Sequence, residues 1–256
     1  MKNLPPKFPF LLLAEFGHQQ VGKLRTLAYL RIKSYHRYGI LPLQEEVMAK
    51  DLSLSIKTFR KHLTWLEAQG FLAPVNGGIL RLVSLSTLNL PTKWGVTLTE
   101  EEILDKNIFS AKLVSAWIDY KARVQAYLDK KKLNQTPQKM KEARCVRPER
   151  PKFKGYHAKR QVIQTAKLPF SYITRTLGMS RSTFSKIRGF AELLKLLTYK
   201  AKYQVFDRNR HHLFGQSYCD IPYFCSKKMG LTLRHSTEYR VDKRVLHQQA
   251  RFYSGA

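Results

Sequence analysis

Acidic residues are scarce in this chain: 18 Asp and Glu stand against 46 Lys and Arg, a formal net charge of +28 over 256 residues. That positive excess is the strongest global feature of the composition. It attracts polyanions through the release of their counterions, whatever the fold, and nucleic acid is the leading candidate. Positive charge kept for solubility alone does not need this magnitude. An anionic membrane surface would call for an amphipathic helix with a continuous basic face, or for a lipidation signal, and neither is legible.

Long apolar runs are missing too. Nothing approaches the roughly 20 residues that span a bilayer. The N-terminal "PFLLLAEF" is short, is interrupted by Glu15 and lacks a small-residue cleavage site, so no signal peptide is expected. The expected location is cytoplasmic, in association with the nucleoid.

Cysteine is sparse. Cys145, Cys219 and Cys225 are too few and too irregularly spaced for a disulfide framework. His211, His212, Cys219, Cys225 and His235 contain no C-x2-C or H-x3-H pair, so no metal and no cofactor is expected. No G-x4-G-K-[ST] supports ATP use, no His-hydrophobic-His pair supports a rolling-circle nuclease, and acidic clustering is confined to residues 100–105. "LTLRHSTEYR" at 231–240 resembles the Arg-His box of tyrosine recombinases through Arg234, His235 and Tyr239. Too little chain follows it for that family's later segments. Enzymatic activity is therefore not the expectation, although a recombination-associated factor or enzyme stays open as an alternative.

Apolar residues make up 43% of the chain, enough for a real core. Residues 20–38 have helical periodicity, with Leu24, Leu27, Ala28 and Tyr35 near one face and Gly39 as a stop. "LPLQEEVMAKDL" (41–52) predicts a short helix with Pro42 near its start and two carboxylates in its first turns. After a turn, Ser55 is a candidate N-cap for a third helix that runs to about Ala68 and stops at Gly70. Ile56, Phe59, Leu63 and Leu66 form its apolar stripe; Lys57, Thr58, Arg60, Lys61 and Thr64 lie opposite. "FLAPVNGGILRLVS" then predicts a hairpin around Asn76-Gly77-Gly78.

"EEVMAKDLSLSIKTFRKHLTWLEAQGFL" resembles the helix-turn-helix core of bacterial winged-helix regulators. Ala49 stands at the close helix approach and Ser55 at the cap. With "FPFLLLAEF" and the long first helix, it is also similar to the N-terminal winged helix of phage and plasmid replication proteins. The likeness covers residues 20–85 and implies duplex DNA binding. It departs from the pattern at Ser53, where many such turns carry Gly; a non-Gly residue at positive φ costs about 1 kcal/mol.

The motif occurs twice. Residues 52–61, "LSLSIKTFRK", align with 177–186, "LGMSRSTFSK", at an offset of 125, and five of the ten positions are identical. The second copy predicts a buried stripe of Phe184, Ile187, Ala191 and Leu194 and an exposed face of Arg181, Ser182, Ser185, Lys186 and Arg188. Thr174 replaces Ala49, and Gly189 within the helix suggests a close backbone approach. "LTYKAKYQVF" alternates as a strand, and "DRNRHH", with Arg208 and Arg210, is a candidate second wing.

Between the copies, Thr99 before three glutamates predicts a capped helix start, and 109–132 predicts an amphipathic helix with Leu113, Ala116, Trp117, Tyr120, Val124 and Leu128 on one side. That side is a candidate homodimer surface. Residues 130–160 hold 12 Lys or Arg, including Lys152 and Lys154, against 2 Glu. They read either as a solvated linker or as a basic strap along phosphates.

The expected architecture is mainly α with small β-hairpin wings (α+β): two winged helix-turn-helix modules joined by a long helix and a basic linker. The expected units are 1–90, 91–160 and 161–256. Sequence-specific double-stranded DNA binding is the expected function; if both modules sit on one DNA face, their recognition helices are spaced by about one helical turn, roughly 34 Å. A transcription regulator comes first and a replication initiator of a plasmid, phage or other mobile element second, with transcription or replication proteins as further partners. RNA binding also follows from charge and is separable by its preference at matched salt.

Overall fold

The computed structural model describes residues 7–73, 78–88, 95–134, 163–206 and 232–242. Asn76, Lys152, Lys154, Arg208 and Arg210, the strap beyond residue 134 and the cysteine-histidine group lie outside these segments, except that His235 has a described backbone position.

The chain is mainly helical, with small antiparallel sheets. In the first half, β1 (Lys7–Pro9), α1 (Leu11–Phe16), α2 (Val21–Ser34), β2 (Ile40–Pro42), α3 (Glu45–Asp51), α4 (Ile56–Ala68) and β3 (Ile79–Arg81) follow in order. β4 (Gly95–Thr97), α5 (Glu100–Leu104) and the long α6 (Lys106–Asn134) come next. The second half contains β5 (Ile163–Leu168), α7 (Phe170–Thr176), α8 (Arg181–Leu193), β6 (Leu197–Phe206) and β7 (Thr232–Asp242).

Helix starts follow their caps. Ser55, in extended conformation, accepts the backbone N–H of Thr58, and Ser180 accepts that of Thr183. Thr99 and Glu102 form a reciprocal capping box at α5. Helix ends are equally regular: after α3, Ser53 N–H bonds Lys50 O and Leu54 N–H bonds Ala49 O, the Schellman pattern, and α4, α7 and α8 close in the same way. The left-handed residues at these four helix ends are Ser53 (φ 52°), Gly70 (73°), Gly178 (58°) and Lys195 (56°). Ser53 therefore does adopt the positive φ that its position demands.

The repeat extends to the whole backbone of both helix pairs. Glu45 falls on Phe170, Asp51 on Thr176, Ile56 on Arg181 and Ala68 on Leu193, each 125 residues on. Strand register agrees: Leu41 pairs with Leu80 as Ala166 pairs with Tyr239, and Leu72 with Leu82 as Leu197 with Val241. In the second copy the last strand lies between the other two, β5-β7-β6; in the first, β3 pairs with β2 and the following Leu82 bridges to Leu72. Leu80 and Tyr239 are 159 apart rather than 125, so the second excursion to the central strand is 34 residues longer.

Six local expectations need correction. Pro42 lies in β2, where it pairs with Ile79, and the helix begins only at Glu45. Tyr35 and Ile56 are largely exposed, the latter because it occupies the first helical position of α4, outside the buried arc. Leu194 is half-buried at the C-cap rather than in the stripe. Gly189 has no atom near its missing Cβ among the described residues, so none of the described backbone makes the expected close approach. Finally, α6 is not amphipathic over its first half: residues 109–119 are all buried.

α6 is the common core helix. It packs against α1, α2, β4 and α5 from the first half and against α8, β5 and β7 from the second. One apolar cluster runs from Phe8 through Trp117 to Val241. Rings cross it at Phe10–Tyr120 (5.9 Å) and Trp117–Tyr172 (6.1 Å). The β1–β4 ladder joins residues 7–9 to 95–97, across the boundary expected near residue 90. α6 likewise supplies core to both neighbouring units.

Ser110, Lys112 and Asp119 on the buried half of α6 find partners, whereas Ser115 Oγ has none among the described residues. Lys112, 1% exposed, pairs with Glu102 at 2.5 Å and donates to Thr97 O at 3.3 Å. Burial lowers its pKa, and Glu102 opposes the shift. Asp119 pairs with Arg123 one turn on. Toward its other end the helix leaves Tyr127 and Leu128 exposed.

Candidate nucleic-acid interface

α4 is fixed from behind. Phe59, Leu63 and Leu66 bury one arc against α2 and α3. Arg25 of α2 donates Nη2 to Leu52 O, and Tyr29 Oη donates to Asp51 Oδ2 at 2.5 Å, so the turn before α4 is pinned by α2. His62 packs into the same seam. Thr26 Oγ1 donates to Gly22 O at 3.1 Å, which leaves its lone pair to accept His62 Nδ1–H at 2.8 Å. Burial, then Lys23 and Arg25, lower the His62 pKa and hold the ring neutral.

The opposite face of α4 is open. Ile56, Lys57, Arg60, Lys61, Thr64 and Ala68 are exposed and, with Trp65, line a shallow groove along the helix. Lys57 and Lys61 have no ion-pair partner among the described residues. Arg60 does: its Nε and Nη2 lie 2.7 and 2.6 Å from one oxygen of Glu45 on α3. The expected hydroxyl readers are engaged within the helix, Ser55 with Thr58 at 2.8 Å and Thr64 with Arg60 O at 3.1 Å.

α8 repeats the layout with different chemistry. Phe184, Ile187 and Ala191 face the core, while Arg181, Ser182, Ser185 and Lys186 are exposed. Ser182 Oγ lies 2.9 Å from Ser180 Oγ and so belongs to the cap. Arg188 leaves the outward set. Its guanidinium carbon stacks 3.8 Å from the Tyr199 ring centroid and 5.5 Å from that of Phe170, over the sheet. Thr174, at the place of Ala49, satisfies its hydroxyl on Ser171 O at 3.1 Å and is accommodated.

The turn before α8 is pinned by another donor. Leu177 O, the counterpart of Leu52 O, accepts the backbone N–H of His18 at 2.7 Å. A Cβ built on Gly178 would lie 3.4 Å from Gly17 Cα, so the two glycines allow this approach. His18 Nε2 is buried without a hydrogen-bond partner among the described residues, and burial, then Lys106, lower its pKa.

Tyr239, the tyrosine of the recombinase-like stretch, is 0% exposed beneath Phe184 and Tyr199 and is part of the core. Burial raises its pKa, against the opposing influence of Thr237 and Arg188. Among the described residues no group of three His, Cys, Asp or Glu is placed to hold a metal, and no helix is long and apolar enough to cross a membrane.

Sequence reasoning missed Glu45, Arg25, Tyr29 and His18. Glu45 was legible only as a charge favoured at a helix start, because its 15-residue separation from Arg60 fits no single-helix period. Compared with known proteins, the chain matches no family model, no curated protein and no solved structure.

Proposed function

We propose that the protein binds double-stranded DNA sequence-specifically through two winged helix-turn-helix modules, with α4 and α8 as their recognition helices, and acts as a transcription regulator. The supporting observation is the duplicated frame. Two capped helices with matching boundaries, each beside antiparallel strand pairing in the same register, present outward cations on a chain of net charge +28. A recognition helix enters the major groove by its N-terminal residues, while flanking cations hold phosphates. Lys57, Arg60, Lys61, Arg181, Ser185 and Lys186, all exposed, are the side chains proposed for this.

Gel-shift titration at several salt concentrations tests the reading. A preferred duplex should survive competition by random duplex as salt rises; loss of all affinity without preference would reduce the activity to non-specific binding. A replication initiator would use the same surface and then open DNA. Permanganate-reactive thymines in the bound site would assign that role in place of regulation.

A further inference from the structure

The outward faces of the two modules differ most at one pair of positions. In the first, Glu45 on α3 holds Arg60 on α4; in the second, Phe170 and Ser185 stand there, and the nearby Arg188 is turned inward. Both contacts of Arg60, from Nε and Nη2, go to Glu45 Oε2. A guanidinium has five N–H groups in a planar fork. With Nε–H and one Nη2–H committed sideways, the end-on pair from Nη1 and Nη2 is left unoccupied by this clamp. That pair matches the N7 and O6 acceptors of guanine in the major groove.

Exposure fits this arrangement. The Glu45 side chain is 24% exposed and that of Arg60 66%, so a recessed carboxylate supports a projecting cation. A phosphate contact would gain nothing from it: phosphate binding needs positive potential, which Glu45 reduces, and tolerates many orientations. Base reading needs a fixed plane and direction.

We propose that Glu45 is a positioning residue that aims Arg60 end-on at a guanine, making Arg60 the base-reading side chain of the first module. The inference rests on duplex DNA binding by α4. It divides the labour: α4 discriminates through Arg60, while α8, without such a clamp, holds its half-site through Arg181, Ser185 and Lys186.

The test selects binding sites from a random duplex pool at fixed salt with the full chain and its Glu45→Gln, Arg60→Lys, Arg60→Ala and Lys57→Ala variants. Each is then titrated on the wild-type site and on copies with single G·C pairs changed to A·T. The expected result is one G·C pair at which the wild type discriminates roughly tenfold or more. Glu45→Gln, Arg60→Lys and Arg60→Ala should each lose that preference while keeping the others. Lys57→Ala should weaken all sequences alike. Because the clamp is an exposed ion pair, these variants should unfold at nearly the wild-type temperature. If Glu45→Gln and Arg60→Lys keep every base preference and only shift affinity uniformly, Arg60 is a phosphate contact and the proposal is overturned. A wild-type chain that enriches no site removes the parent reading, and this one with it.

Discussion

His18 donates its backbone N–H to the carbonyl of Leu177 across 2.7 Å, at the position where Arg25 caps Leu52 in the other module. Both carbonyls belong to a helix C-cap that has no intrahelical partner. Each turn is thus locked by a donor from the first 25 residues, and the second module is tied to the N-terminal segment. Gly178→Val should destabilise the chain by about 1–2 kcal/mol or more, since a side chain at φ 58° meets both the left-handed penalty and Gly17. Chemical denaturation measures this, and an unchanged midpoint would place the contact outside the folded state.

The mirror substitutions should stabilise. Ser53 and Lys195 occupy the left-handed C′ position that Gly178 and Gly70 fill in the opposite copy. Ser53→Gly and Lys195→Gly should each add up to about 1 kcal/mol, tempered by the entropy of glycine in the unfolded chain. Thermal and urea midpoints give the answer, and destabilisation at both sites would contradict the assigned backbone.

Ser55→Ala and Ser180→Ala should each cost about 1 kcal/mol through loss of the N-cap. Under the proposed function both should also weaken DNA binding, because the frayed turn would be the one that enters the groove. Ser185→Ala lacks a cap to lose and should leave the unfolding midpoint unchanged.

The buried ion pair makes a sharper demand. Glu102→Gln keeps a group able to accept the Thr99 N–H while leaving Lys112 without its counter-charge, and should cost about 3 kcal/mol or more. A compensating Lys112→Met in the same chain should restore much of the loss. If the single variant is neutral, the pair does not sit in the core.

Acid should destabilise the fold through two histidines. His62 and His18 both have pKa values lowered from 6.5, so at neutral pH the folded state holds them uncharged. As pH falls below 6.5, the unfolded chain takes up protons that the folded chain resists, and stability drops until the lowered folded values are reached. Above 6.5 neither contributes a slope. Replacing His62 by Gln should flatten the fall between pH 6.5 and 5 relative to wild type; an equal slope in the variant would remove His62 from the account.

Much of the helical frame was legible because caps and stops are local. Ser55, Ser180, Thr99 and Gly70 act within four residues of sequence, and the apolar stripes of α4 and α8 keep a helical period. α6 misled for a physical reason: Ser110, Lys112, Ser115 and Asp119 look like a solvent face, yet elements from both modules cover them. β7 was overlooked although Thr237, Tyr239 and Val241 alternate inward, because its partners lie 26 to 79 residues before it. At the candidate interface, the cations could be named from sequence. The clamp of Arg60 by Glu45 and the inward turn of Arg188 depend on contacts between elements, which periodicity does not carry.

The most direct measurement of the central claim is hydroxyl-radical footprinting on the duplex selected from a random pool, repeated with Lys61→Ala and Lys186→Ala. Duplex binding by both helices should give two protected stretches about one helical turn apart. Each variant should loosen one of them and lower the salt slope by about one. Protection that is uniform, follows no selected sequence and disappears with rising salt would contradict it.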